Sequence, residues 1–339
     1  MAASAKKKTL VTYGVNFLLA ALLFVVIMVL VENGTFNRYQ SDLLTVVCIN
    51  VMLAVSLNLV TGVLGQLVLG HAGFMLVGAY SAALFTKGSG LPIEVAFPIG
   101  LVVAGLIAAV FGVVIGLPAL RLRGDYLAII TLGFGEIIRV VANNLDFTGG
   151  ALGLTGIKSP NNREHPAVLF VYAFVLMALV ITLMFTFGRS RHGRAVIAIR
   201  EDEIAAEASG VNTTYYKLLA FVMAAFIAGV AGGIYAHHLR LVDPAKYDFN
   251  RSVEILIMVV LGGMGSITGS VISATVLTLL PELLRDFADY RMLAYSIILI
   301  CTMLFRPTGL LGRYEISLTG LALKAKQKLG RKADKPEGV

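Results

Sequence analysis

Glutamate, histidine, cysteine and arginine are the side chains of this chain that could do chemistry, and their spacing argues against it. The histidines are His71, His165, His192, His237 and His238. None stands in an H-E-x-x-H or comparable ligand spacing, so no metal site is expected. His237 and His238 are adjacent, and adjacent side chains diverge on a helix. Cys48 and Cys301 lie far apart within apolar runs, which fits packing rather than a disulfide or metal centre. Glu136 and Arg139 stand three residues apart, a spacing that allows an ion pair on one helix face. Glu254, Glu282 and Arg285 flank an apolar segment and read as structural or mouth charges rather than a proton relay. The segment Gly153-Leu154-Thr155-Gly156-Ile157-Lys158-Ser159 comes nearest to a phosphate-binding loop, but Ile157 occupies the position where lysine is needed. No catalytic residues, no metal and no cofactor are expected, and ATP, if it is used, must be hydrolysed by another polypeptide.

The elements that must hold these residues are apolar. Of the 339 residues 58% are hydrophobic and 14% charged, against about 45–50% and about 25% in soluble domains. Apolar spans fall near 14–31, 43–60, 64–86, 93–119, 126–142, 167–187, 217–237, 253–281 and 291–306. Most reach the roughly 20 residues that cross about 30 Å of hydrocarbon as helix. An all-α, polytopic transmembrane bundle is predicted, with about eight to ten membrane segments counting the glycine-broken ones. Residues 14–31 are read as an uncleaved first span rather than a signal peptide, because Glu32-Asn33-Gly34 follows without a small-x-small cleavage pattern. The formal charge of +8 is gathered at Lys6–Lys8, Arg121 and Arg123, Arg189 to Arg200 and the tail from Lys324 to Lys335. That distribution fits cytoplasmic loops and termini rather than nucleic-acid binding. Residues 1–13, 188–216 and 313–339 are therefore expected in the cytoplasm, and the polar, glycine-rich loop 143–166 outside.

Two spans are interrupted. One break runs from Gly62 through Gly65, Gln66 and Gly70 to Gly73, and the other is Gly262-Gly263-Met264-Gly265-Ser266-Ile267-Thr268-Gly269. Keeping the lysine-rich tail inside requires the 253–281 segment to enter and return on one side, as a hairpin or a pair of half-helices. Irregular backbone at membrane depth is tolerated where it is buried in protein or lines a cavity. Gly-broken segments in both halves point to a translocation path, with Gln66, His71, Glu136, Gly262, Gly263 and Gly265 as its candidates. Two alternatives stand beside this: the glycines allow close helix packing, and His71 is a satisfied structural histidine.

The segment from Arg200 to Thr214 is rich in helix formers and closes on Gly210. At about 100° per residue, Ala205, Ala206 and Ser209 share a side with Gly210 at its edge, while Arg200, Glu203 and Glu207 gather opposite. A small-residue face of this kind suits a groove on a partner.

That segment resembles the loop by which permease subunits of ATP-binding-cassette (ABC) importers engage their ATPase, Glu-Ala-Ala followed by three residues and Gly. Ala205, Ala206 and Gly210 match, whereas Ile204 holds the glutamate position and the acid stands at Glu203. Further stretches resemble the branched-chain amino-acid permease family, closest to its LivM type: Gly65 to Phe74, Arg123 to Leu132, Thr148-Gly149-Gly150, Arg200 to Glu203, Leu261 to Ser266 and Phe305 to Gly312. Leu152 departs from the polar residue usual in the external loop. The resemblance spans roughly residues 43–312. It implies a permease domain over 43–312 with a coupling loop at 188–216, preceded by a terminus and first span (1–42) and followed by a basic tail (313–339). It implies Glu203, Ala205, Ala206, Ser209 and Gly210 as the ATPase-coupling residues. The implied partners are a homologous second permease, two ABC ATPases and an external solute-binding protein, in a bacterial inner membrane. Leucine, isoleucine and valine are the expected solutes, urea or a short-chain amide the alternative. A stand-alone secondary transporter or channel is the competing class.

Overall fold

The computed structural model describes residues 38–122, 124–161 and 167–284, and isolated positions from 296 to 315. The expected spans 14–31 and, for the most part, 291–306 lie outside the described residues, as do Arg285, Cys301 and the basic tail. Arg38–Arg313 forms one compact unit.

Ten helices follow one another in it among the described residues. They are α1 (Arg38–Asn58), α2 (His71–Gly88), α3 (Ile93–Ala119), α4 (Asp125–Asn144), α5 (Val168–Arg189), α6 (Arg191–Glu201), α7 (Glu203–Ala208), α8 (Thr213–Leu239), α9 (Phe249–Gly262) and α10 (Ile267–Leu283). The described strands are β1 (Leu154–Thr155) and β2 (Leu241–Val242), paired antiparallel. Among the described residues, four stretches are long and apolar enough to cross a membrane: Tyr39–Val63, Ile93–Ala119, Val168–Arg189 and Thr213–Leu239. The chain is an all-α, polytopic transmembrane bundle.

Glycine and alanine decide how these helices approach. On α3, Val102, Leu106, Val110 and Val114 repeat every four residues and are exposed, while Gly100, Ala104, Ala108 and Gly112 are buried on the other side. The small stripe receives α8: a Cβ on Gly229 would strike Ala108 and the Ala104 backbone. A Cβ on Gly78 of α2 would strike the Gly229 backbone in turn. With no hydrophobic drive between helices in lipid, such close backbone contact supplies the association.

Helix α1 packs on α5, α8, α9 and α10. It is the most enclosed span, with 83% of its apolar stretch buried against 33% in α5. Its polar side chains are used internally. Asn50 Nδ2 donates to Thr278 Oγ1 (2.9 Å), and Asn58 Oδ1 accepts from the Gly265 amide (2.8 Å) while its Nδ2 donates to the Ser266 carbonyl (2.9 Å).

Both expected breaks are present. A single π-helical stretch, Leu59–Val63, ends α1, and residues 64–70 are irregular before α2 starts at His71. The expected span 64–86 thus begins several residues late, because Gly65, at φ 78°, cannot continue a right-handed helix. The second break separates α9 from α10. Met258 faces Ser273, whose hydroxyl donates to its carbonyl, and Gly262 faces Gly269, so the two helices run antiparallel as a hairpin. At 14 and 17 residues they are about 21 and 26 Å long, short of the roughly 30 Å hydrocarbon thickness.

Candidate functional site

Two places stand out among the described residues, each combining irregular backbone with ionisable groups. The first is a narrow cleft where the N-terminus of α2, the middle of α4 and the start of α9 meet, lined among others by Gly70, Gly73, Gly135, Glu136, Tyr247 and Ser252. Helix α2 can approach α4 only because neither has a side chain at the crossing: a Cβ on Gly73 would lie 2.8 Å from the Gly135 Cα. Glu136 is paired with Arg139, whose Nε and Nη2 are each 2.8 Å from Oε2, as the three-residue spacing predicts. Tyr247 is 2% exposed, and its hydroxyl has no hydrogen-bond partner among the described residues. Leu69, Leu132 and Phe249 complete an apolar wall.

The other sequence candidates fall elsewhere. His71 is buried with Nε2 2.9 Å from Ser56 Oγ, so it bridges α2 to α1 and does not line the cleft. His237 is likewise held, between Thr86 Oγ1 (3.0 Å) and the Gly233 carbonyl (2.8 Å). Gln66 lies in the irregular segment outside the cleft lining, its Oε1 buried without a partner among the described residues. Gly262, Gly263 and Gly265, also candidates for the path, are packed at the hairpin turn. A Cβ on Gly262 would sit 2.5 Å from the Gly269 carbonyl carbon, and one on Gly263 would strike the Gly312 carbonyl. These glycines permit close approach of backbone.

The second place is the α6–α7 loop. Asp202 ends α6 in extended conformation and caps α7, its Oδ1 accepting from the amides of Ile204 (2.9 Å) and Ala205 (3.0 Å). The helical periodicity carried across this position in the sequence is therefore broken into two helices. Gly210, at φ 84°, closes α7: its amide bonds the Glu207 carbonyl (2.9 Å) and the Val211 amide bonds that of Ala206 (3.0 Å), the paired bonds of a Schellman stop. Ala206 is turned inward, 6% exposed, rather than outward with Ala205 and Ser209. Ile204, Ala205, Ala208 and Ser209 are exposed together, and Glu207 is exposed beside them. On the inward side Glu203 accepts from Lys217 Nζ at 2.7 Å, and Lys217 is 4% exposed. A lysine so buried requires its partner, which pins α7 to the first turn of α8.

Residues 39–305 match a family described as the permease component of a branched-chain amino acid transport system. The chain belongs to that family. Among its relatives is the high-affinity branched-chain amino acid transport system permease protein LivM of Salmonella typhimurium, 38% identical over 326 residues, covering 88% of this chain and 75% of that protein. LivM of Escherichia coli is 38% identical over 322 residues, covering 86% and 75%. LivH of Escherichia coli is 27% identical over 289 residues, covering 78% and 92%. The chain is thus a multi-pass membrane component of a transport permease.

Asn50, Asn58, Lys217 and Tyr247 escaped the sequence reading. Asn50, Ser56 and Asn58 did carry a signal, as polar side chains inside an apolar span, which by default mark interhelical contacts.

Proposed function

We propose that this chain forms half of the translocation path of an ATP-driven importer of leucine, isoleucine and valine. A homologous second permease completes the path, two ABC ATPases drive it, and an external solute-binding protein delivers the amino acid. The observation that carries the reading is α7, a short helix with a surface of Ile204, Ala205, Ala208 and Ser209, pinned on its other side through Glu203 and Ala206. A groove on a motor subunit can approach such a surface closely, and a push on it reaches α8 through the Glu203–Lys217 pair. The relatives named for branched-chain amino acid transport support the choice of solute.

In this arrangement α6 and α7 face the cytoplasm of a bacterial cell, loop 143–166 faces outside, and both termini are cytoplasmic. The cleft beside Glu136 is the part of the path contributed by this chain. The Glu136 carboxylate, held by Arg139 through Oε2, is the acidic group the cleft offers to an ammonium, and Leu69, Leu132 and Phe249 suit an apolar side chain.

Ala205→Trp tests the docking surface. It is expected to abolish ATPase co-purification and uptake at normal membrane abundance, whereas Glu207→Ala retains both. Equal losses, or none, would reject α7 as the motor contact. Orientation is checked with an impermeant thiol reagent on intact cells. Leu152→Cys, at an 88% exposed position, should label, and Glu207→Cys should not.

A further inference from the structure

The two helix breaks, far apart in sequence, meet at one point, and an arginine from the α6–α7 loop holds them there. Arg200 lies in the last turn of α6, two residues before the Asp202 cap of α7. Its Nη1 donates to the Gly62 carbonyl at 3.0 Å. Its aliphatic stem fills the space over Gly65, where a Cβ would lie 2.6 Å from Arg200 Cγ. A Cβ on Gly265 would lie 3.4 Å from Nη1 and equally close to the Gly62 carbonyl oxygen. Nε and Nη2 both reach Glu201 Oε1, at 3.1 and 2.6 Å, which fixes the plane of the guanidinium. The side chain is 19% exposed.

Position and chemistry agree. Gly62 lies in the closing π turn of a long helix, where carbonyls lose their helical donors and carry partial negative charge. A cation is favoured there, and this one comes from a different element. From the clamp two routes run to the cleft. One is the chain itself, from Gly62 through the irregular residues 64–70 to Leu69 and Gly70 in the cleft wall. The other is α9, from the turn that Asn58 grips at Gly265 and Ser266 back to Phe249 and Ser252 in the opposite wall. We propose that Arg200 is the positioning residue that transmits movement of the α6–α7 loop to both walls of the cleft, by gripping the point where the two helix breaks join.

This rests on α7 being the motor contact, and the experiment separates the two. The complete transporter, with both permeases, ATPases and binding protein, is reconstituted in liposomes, and leucine uptake is measured beside ATP hydrolysis. Arg200→Met is expected to keep the ATPases bound and hydrolysing while transport per ATP falls roughly tenfold, within the 5–150-fold span of ordinary coupling. Arg200→Lys, which keeps a cation for the Gly62 carbonyl, should recover part of that loss. A residue that served only folding would lower abundance and both activities together. Unchanged transport per ATP in Arg200→Met, with Ala205→Trp still unable to bind the ATPases, would overturn the clamp and leave the docking surface standing. ATPase binding and uptake retained by Ala205→Trp would reject the docking surface and the clamp with it. Hydrogen exchange of the wild-type transporter gives a second test that depends on no variant. Exchange across residues 62–70 should differ between nucleotide-free and ATP-bound states, and identical exchange would also overturn the proposal.

Discussion

The two glycine-rich breaks look alike as strings of residues, yet they are built for different tasks. At the second, backbone closes in from several sides: Gly262 against Gly269, Gly263 against Gly312, Gly265 beside Gly62. At the first, Gly65 and Leu67 are exposed, residues 64–70 form no helix, and the far end becomes a wall of the cleft beside Glu136. A glycine that permits contact and a glycine that permits bending cannot be told apart by type. What lies opposite each one decides. Backbone closes in on Gly62, Gly70 and Gly73 of the first break as well, so what sets it apart is the irregular stretch 64–70, with Gly65 and Leu67 exposed.

The sharpest way to break this contrast is to fill the second break. Gly262→Val puts atoms where the Gly269 backbone and Ser273 Oγ already stand, at 2.5 and 2.6 Å from the first added carbon. Overpacking of this kind costs about 1–3 kcal/mol or more. Gly262→Val should therefore leave little folded protein in the membrane, read by size-exclusion chromatography of a fluorescent fusion. Asn58→Leu should cost less, because helix packing remains while the Gly265 amide and Ser266 carbonyl lose a buried partner, about 1–3 kcal/mol. A lowered melting temperature of the purified transporter would show it, and an unchanged one would mean that the breaks do not depend on that grip. Glu136→Gln addresses the cleft rather than the fold. It should reduce uptake by roughly tenfold to a hundredfold, as expected for a charge-assisted hydrogen bond worth about 1.5–3 kcal/mol, at unchanged abundance. Gly133→Ala is expected to do nothing measurable, since a Cβ there meets no atom within 4 Å. Loss of folding in Gly133→Ala would undercut the claim that the facing backbone decides a glycine's role.

Much of this architecture was legible in the sequence. The span at 93–119 coincides with α3, and the hairpin at Gly262–Gly269 stands where the glycine-broken segment was expected to turn back. The α7 segment and its Gly210 stop were readable from composition and helix signals. Its inward face was not, because Asp202 resets the helix phase and a wheel drawn through Arg200 misplaces Ala206. The junction itself was also out of reach. Arg200 and Gly62 are 138 positions apart, and Asn58 and Gly265 are 207 apart. Nothing local in either segment names its partner, since tertiary packing of α1 against the hairpin creates the pairing. The cleft was half visible. Glu136 stood out as a charge in a span, whereas Tyr247 sits in a short polar connection where a tyrosine attracts no notice.

The central claim is that this chain moves branched-chain amino acids only as part of an ATP-driven assembly. Liposomes holding both permeases and both ATPases, supplied with the binding protein, should accumulate radiolabelled leucine when ATP reaches the ATPases, and stop when ATP or the ATPases are withheld. Uptake by this chain alone without ATP, or ATP-driven uptake of urea with leucine excluded, would contradict it.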